Sequence, residues 1–164
     1  MSNAIVVLNA GSSSIKFSLF IERGETLEPD VRGQVEGLYT AARFVSKAPD
    51  GTLKAEKSWP AGVELGHDGA LDHLVGHLRS ELAGDRLIGI GHRVVHGGMA
   101  YTRPVQVDEA VLEVLETFIP LAPLHQPHNL APIRRVLERA PGLPQVACFD
   151  TAFHRTPPPV AQLF

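Results

Sequence analysis

The sequence is poor in cysteine, tryptophan and methionine: of 164 residues, Cys and Trp occur once each and Met twice. A single cysteine, Cys148, excludes an internal disulfide and a zinc site built on several thiolates. It fits a reducing, cytoplasmic setting. No apolar run approaches the ~20 residues of a membrane helix. The start, Met1-Ser2-Asn3-Ala4, carries no basic segment, so no signal peptide is expected. Charge of one sign is not in excess either. Lys and Arg total 15 and Asp and Glu 18, which leaves −3 with neutral histidines. No basic cluster stands out along the chain, so nucleic acid is not an expected partner. What remains is an ordinary globular balance, 44% hydrophobic and 20% charged, on a chain long enough to bury roughly 70% of its unfolded surface.

The hydrophobic pattern divides into a β-rich first part and a mixed second part. Ile5–Leu8 is a short β-branched run and reads as a buried strand, ended by Asn9-Ala10-Gly11-Ser12. Ile15, Phe17 and Leu19 alternate at once with Lys16, Ser18 and Phe20, so a hairpin with a small-residue turn is predicted. Gly and Pro punctuate residues 22–60, with strand-like pieces at Gln34–Leu38, Arg43–Ser46 and Thr52–Lys57. These read as an antiparallel meander. Leu71, Leu74, Val75, Leu78 and Leu82 then fall at helical spacing over Gly69–Leu82, with Asp68 as N-cap. A buried strand at 87–95 follows, then a helix after Asp108. Pro120–Pro127 reads as a loop. A third helix over about Leu130–Ala140 and a strand at Gln145–Phe149 complete the order. Strands followed by alternating helix and strand argue a mixed-sheet α/β domain. The tail Pro157-Pro158-Pro159 looks like a linker or a cut end.

Four segments have the composition of chemical sites. In Asn9-Ala10-Gly11-Ser12-Ser13-Ser14, small residues let backbone N–H groups and hydroxyls approach a phosphate, and Lys16 adds a point charge. A polar hairpin turn is the other reading. It is not a Walker A loop, because Ile15 stands where the second glycine belongs and Phe17 where Ser or Thr belongs. In Gly91-His92-Arg93-Val94-Val95-His96-Gly97-Gly98, an arginine at the polar end of an apolar strand calls for an anionic partner, either a bound carboxylate or phosphate or a structural Asp. His92 and His96, four apart, share a strand face, but no third metal ligand stands at recognisable spacing. His73 and His77, also four apart, read as a solvated helix face. Prolines stiffen Leu121–Pro127, where Leu124 and His125 either line a pocket or sit on a rigid crossover. Asp150, after an apolar strand, stands where α/β proteins place catalytic carboxylates, or is a turn residue. Cys148 reads as a packed thiol.

Taken together and in order, Val7-Leu8-Asn9-Ala10-Gly11-Ser12-Ser13-Ser14-Ile15-Lys16-Phe17, the 91–98 segment, Ala122-Pro123-Leu124-His125 and Phe149-Asp150-Thr151-Ala152-Phe153-His154 resemble the acetate kinase family. The resemblance implies an actin-like, ribonuclease-H-like fold of the sugar-kinase and Hsp70 superfamily, with two domains and a nucleotide cleft. It implies reversible transfer of the γ-phosphoryl of ATP to acetate, with Mg²⁺. Arg93 would bind acetate, with Val95 and Leu124 lining the methyl pocket. Lys16, Gly11, Ser12 and Ser14 would contact phosphate, Asn9 would serve Mg²⁺, and Asp150 and His125 would be catalytic. The family is about twice this length. Residues 1–155 therefore correspond to the N-terminal domain, and 156–164 to the start of a connection to a missing nucleotide-binding domain. The piece alone is expected to be inactive, and the full-length protein to be a homodimer. At Gln126 the family usually has Asn. Propionate or butyrate kinase of the same family, and a stand-alone anion-binding module, are the alternatives; a histidine-based metal protein is a third.

Overall fold

A computed structural model describes residues 1–150 of the chain. The Thr151–His154 end of the last motif, the triple proline and the expected connection at 156–164 lie outside the described residues. The described residues form two compact units, Met1–Ile90 and a second that begins at Gly91.

In the first unit, β1 (Asn3–Ala10), β2 (Ser14–Arg23), β3 (Thr26–Glu36), β4 (Arg43–Lys47) and β5 (Leu53–Ser58) precede helix α1 (Gly66–Leu82) and the start of β6 (Arg86–Val94). The strand order is β5–β4–β3–β2–β1–β6, antiparallel from β5 to β1. Successive side chains of a strand point to opposite faces. One face is therefore built from Ala4, Val6, Leu8 and Ala10 of β1 and Ile15, Phe17, Leu19 and Ile21 of β2, all buried. Val31, Val35 and Phe44 extend it, and Ala70, Leu71 and Leu74 of α1 are buried with it. The apolar run at residues 5–8 is thus not buried on both faces, since Val7 is exposed.

β3 begins eight residues before the predicted strand piece. It accommodates Pro29 because β4 pairs only with Arg32–Glu36, which leaves the Pro29 stretch an edge where no N–H is needed on that side. Helix α1 starts at Gly66 rather than Gly69, behind Leu65, which makes no side-chain cap. Asp68 sits in the first turn instead, where its carboxylate complements the helix dipole. His73 and His77 do not form a solvated face. The Phe44 ring lies 4.4 Å from His73 and 4.9 Å from His77, and Trp59 lies 5.2 Å from His73. Both Nε2 atoms are buried without a hydrogen bond. Desolvation against these rings holds both histidines below their ordinary pKa.

Gly33 marks the tightest approach in this sheet. A Cβ there would lie 2.3 Å from the Val45 carbonyl oxygen and 2.8 Å from Cε1 of Phe17. The oxygen belongs to a neighbouring strand's backbone and cannot swing away. Gly33→Ala is expected to destabilise the unit by about 2 kcal/mol, in the range for overpacking a close-fitted interior. Urea denaturation measures it; a loss below about 0.5 kcal/mol would contradict the packing argument.

The second unit holds the end of β6, β7 (Val105–Gln106), α2 (Glu109–Glu116), a 3-10 turn at Ile119–Leu121, α3 (Gln126–Arg139) and β8 (Gln145–Phe149). Its strand order is β6–β8–β7. Val94, Val107, Leu112, Leu115, Leu130, Ile133, Ala147 and Phe149 form its core. Asp108 caps α2 as expected, its carboxylate accepting the Val111 N–H at 2.8 Å. The third helix starts four residues before the predicted position. Pro127 occupies its first turn, where a missing N–H costs nothing. β7 is too short to have left a pattern. Cys148 is exposed, because the alternation of β8 turns Ala147 and Phe149 inward and Cys148 outward.

Candidate active site

The residues singled out in the sequence fall into two groups, one on each unit. In the first unit, Asn9 and Lys16 are directly opposite each other on β1 and β2, so their side chains share the sheet face that the core leaves free. The turn between them closes through the Gly11 N–H, which donates to the Ser14 carbonyl at 2.8 Å. Gly11 and Ser14 are half-buried, while Ser12 and Ser13 are exposed.

Two residues not anticipated from the sequence hold this turn. His67 Nε2 is 2.7 Å from the Gly11 carbonyl oxygen, and its Nδ1 is 2.7 Å from the Tyr39 hydroxyl. A carbonyl only accepts, so Nε2 carries the proton. In the neutral ring, Nδ1 then accepts from Tyr39. The Leu38 N–H also donates to the Ser13 carbonyl at 3.1 Å.

In the second unit, Arg93 meets Asp150. Nε lies 3.0 and 3.1 Å from the two carboxylate oxygens, and Nη2 lies 2.8 Å from Oδ2. The strand-end arginine thus has a carboxylate partner 57 residues away. The Asp150 carboxylate raises the guanidinium pKa, so Arg93 is a fixed cation. The Arg93 side chain is 55% exposed, and such a pair adds little to stability. Its consequence is orientation: one edge of the guanidinium is engaged, and the Nη1 edge faces elsewhere with its donors unused by Asp150.

The strand end that carries Arg93 is held by two buried amides. Asn129 Oδ1 accepts the Val95 N–H at 2.9 Å, and Gln126 bonds both His96 N–H and His96 carbonyl, at 3.2 and 2.8 Å. Only the departure at Gln126 hinted at this in the sequence. Val95 is half-buried, whereas Leu124 and His125 are exposed. Neither of the last two side chains hydrogen-bonds to Arg93 or Asp150 among the described residues. His92 and His96 do not act as a pair. His92 Nε2 is 2.7 Å from Gln145 Oε1, and His96 Nδ1 accepts the Gly98 N–H. Gly98 is itself confined, with φ +62°, and a Cβ there would lie 2.5 Å from the Phe118 ring.

Asn9 offers a neutral amide oxygen, a hard donor. Mg²⁺ takes few protein ligands and keeps several waters, so this donor suits it. Among the described residues no three His, Cys, Asp or Glu stand close enough to hold a metal, and no helix is long and apolar enough to cross a membrane.

Comparison with known proteins agrees with these motifs. The acetokinase family model matches residues 4–164. The chain is 46% identical to an acetate kinase of Nitrobacter hamburgensis over 163 residues, covering 99% of this chain and 40% of that protein. It is 48% identical to an acetate kinase of Rhizobium meliloti, covering 93% and 39%. Among solved structures, a propionate kinase from Francisella tularensis matches with a TM-score of 0.81 and 37% identity, covering 95% of this chain and 39% of that one. The acetate kinase of Porphyromonas gingivalis matches at 0.78 and 31% identity, covering 95% and 39%. The chain thus spans about 40% of the length of the relatives it matches. The fold is the mixed-sheet, actin-like α/β class expected from the sequence. On motif order, fold and similarity alike, the chain belongs to the acetokinase family.

Proposed function

We propose that this chain supplies the acyl-binding and phosphate-contacting residues of an ATP-dependent acetate kinase. The reaction joins an acetate oxygen to the γ-phosphorus of ATP and breaks the bond from that phosphorus to the β-bridging oxygen. Acetyl phosphate and ADP result, reversibly. No proton need be removed, since acetate is ionised at neutral pH. The difficulty is to hold a carboxylate against a polyanion, so charge neutralisation and alignment carry the catalysis. The observation that supports this reading best is the Arg93–Asp150 pair. A guanidinium fixed by one carboxylate keeps a second edge for another, and that edge binds acetate. Asp150 then fixes the reacting end. Val95 and Leu124 flank the methyl group, and His125 donates a hydrogen bond to the group in transfer. On the first unit, Lys16 offers a point charge to phosphate. The turn at Gly11, Ser12 and Ser14 offers its N–H and hydroxyl donors, and Asn9 an oxygen to Mg²⁺, which when bound neutralises phosphate charge. The reading includes a cytoplasmic setting and a homodimer of the full-length protein.

The test is acetyl phosphate formation, trapped as its hydroxamate. The 164-residue chain alone is expected to show none. Joined to the remainder of an acetokinase sequence, it is expected to turn over with ATP and Mg²⁺. In that protein Arg93→Ala should raise the acetate KM roughly tenfold and lower kcat, as for a lost charge-assisted bond. An unchanged acetate dependence would remove Arg93 from the site. Propionate is the second reading, favoured by the Francisella tularensis propionate kinase match. One methylene is worth about 0.8 kcal/mol, so the ratio of kcat/KM for the two acids decides between them.

A further inference from the structure

The sheet face opposite α1 carries a feature of which the phosphoryl-transfer reading uses only Lys16. Across β2–β5 it forms an open, solvent-facing depression of about 740 Å³, lined by Lys16, Ser18, Arg32, Gln34, Arg43 and Lys47 among others. Small-molecule sites commonly have volumes of about 300–1,000 Å³. Ser18, Arg32 and Lys47 are directly opposite one another on β2, β3 and β4, and Lys16 and Gln34 form the adjacent row. Arg32 and Lys47 are thus like charges at a cross-strand pair, an arrangement that destabilises a sheet.

The nearby carboxylates do not relieve it. Glu56 pairs with Arg43 at 3.3 Å, and Glu36 accepts from the Gln34 amide at 3.3 Å. Among the described residues Lys16, Arg32 and Lys47 have no ion-pair partner. The chain as a whole is negative, at −3, so three unpaired cations on two adjacent rungs run against its general charge. The sequence hides the cluster, because its members lie up to 31 residues apart and meet only through strand register.

We propose that this face is a second anion site, which holds a small phosphorylated molecule by its phosphoryl group at Arg32 and Lys47, with Lys16 at the edge nearest the glycine-serine turn. A guanidinium and two ammonium groups match a phosphoryl dianion. The Ser18 hydroxyl and Gln34 amide add neutral donors. A bound anion offsets the repulsion between Arg32 and Lys47. The proposal goes beyond the phosphoryl-transfer reading and does not depend on it.

The test uses the 164-residue chain and two probes, inorganic pyrophosphate and glycerol 2-phosphate, at matched ionic strength against chloride. Amide NMR shifts are expected at Ser18, Arg32 and Lys47 with both probes. Shifts with pyrophosphate alone would overturn the assignment to a phosphorylated organic molecule. Arg32→Gln with Lys47→Gln should weaken binding at least tenfold, whereas Arg103→Gln, an exposed cation away from this face, should change it less than twofold. The double variant should also melt no lower than the parent, since it loses a repulsion. Shifts confined to residues 10–16, equal shifts with chloride, undiminished binding by the double variant, or a lower melting temperature would each overturn the proposal. The first of these leaves the glycine-serine turn as a phosphate contact, so the two readings fail separately.

Discussion

Gln126→Ala is expected to cost the second unit about 4 kcal/mol, although Gln126 is polar and touches no proposed substrate. The side chain is fully buried and spends its amide on three backbone groups. Its oxygen accepts from the His96 N–H at 3.2 Å, and its nitrogen donates to the carbonyls of His96 at 2.8 Å and Leu115 at 3.2 Å. Removing it strands those groups, at about 1–3 kcal/mol for a buried one, and opens a cavity as well. Gln126→Met keeps the volume and loses only the bonds, so it should cost about half as much. Urea denaturation of the two variants separates the terms. A cost near zero for Gln126→Met would show that the bonds contribute nothing net.

The same substitution should be felt at Arg93. The backbone that Gln126 grips lies three residues beyond it, past the point where β6 ends at Val94. Asn129 grips Val95 in the same way. Two buried amides on α3 thus set the path of the segment that carries the guanidinium. In a full-length acetokinase background, Gln126→Met should raise the acetate KM while leaving that for ATP nearly unchanged.

These two amides also show where sequence reading stops. β1, β2 and α2 are legible because their signals are local: alternation at Ile15–Leu19, and an Asp108 cap that needs only its own helix. The four motifs were legible as strings. The Arg93–Asp150 contact was legible only as a requirement, since an arginine at a strand end needs some anion and the sequence leaves open which. Asn129, His67 and Tyr39 leave no usable signal, and Gln126 only its departure from the family's usual Asn. Gln126, Asn129 and His67 bond backbone groups up to 56 residues away, and a backbone carbonyl looks the same at every position; Tyr39 bonds the His67 ring, 28 residues on. The burial of His73 and His77 is hidden in the sequence for a related reason. Spacing puts them on one helix face, but only the sheet register brings Phe44 beneath that face. The exposure of Cys148 is hidden for the opposite reason, because an apolar run does not say which of its two faces is covered.

Acid should destabilise the second unit through His92, by about 3 kcal/mol in full. The ring is 2% exposed and its Nε2–H donates to Gln145 Oε1. Burial pushes its pKa down to about 4, and the hydrogen bond to Gln145 offsets this only in part. An unfolded histidine titrates near 6.5. The unfolded chain therefore takes up the proton first as pH falls. The contribution of neutral His92 is fully present above about 6.5. It is lost progressively between about 6.5 and about 4, and below that both states are protonated. At about 1.4 kcal/mol per pH decade the gap amounts to about 3 kcal/mol, of which about 1.4 is gone by pH 5.5. That upper part of the window is the informative one, because few carboxylates titrate there. Thermal unfolding of the parent should fall between pH 7.5 and 5.5, and His92→Asn should flatten the slope while lowering stability at pH 7.5. His73 and His77 shift in the same direction but belong to the first unit, so their share persists in the variant. Amide signals of Ala147 and Phe149 report the second unit alone. If those signals report the same slope in His92→Asn as in the parent, the buried neutral ring is not the source of the acid sensitivity.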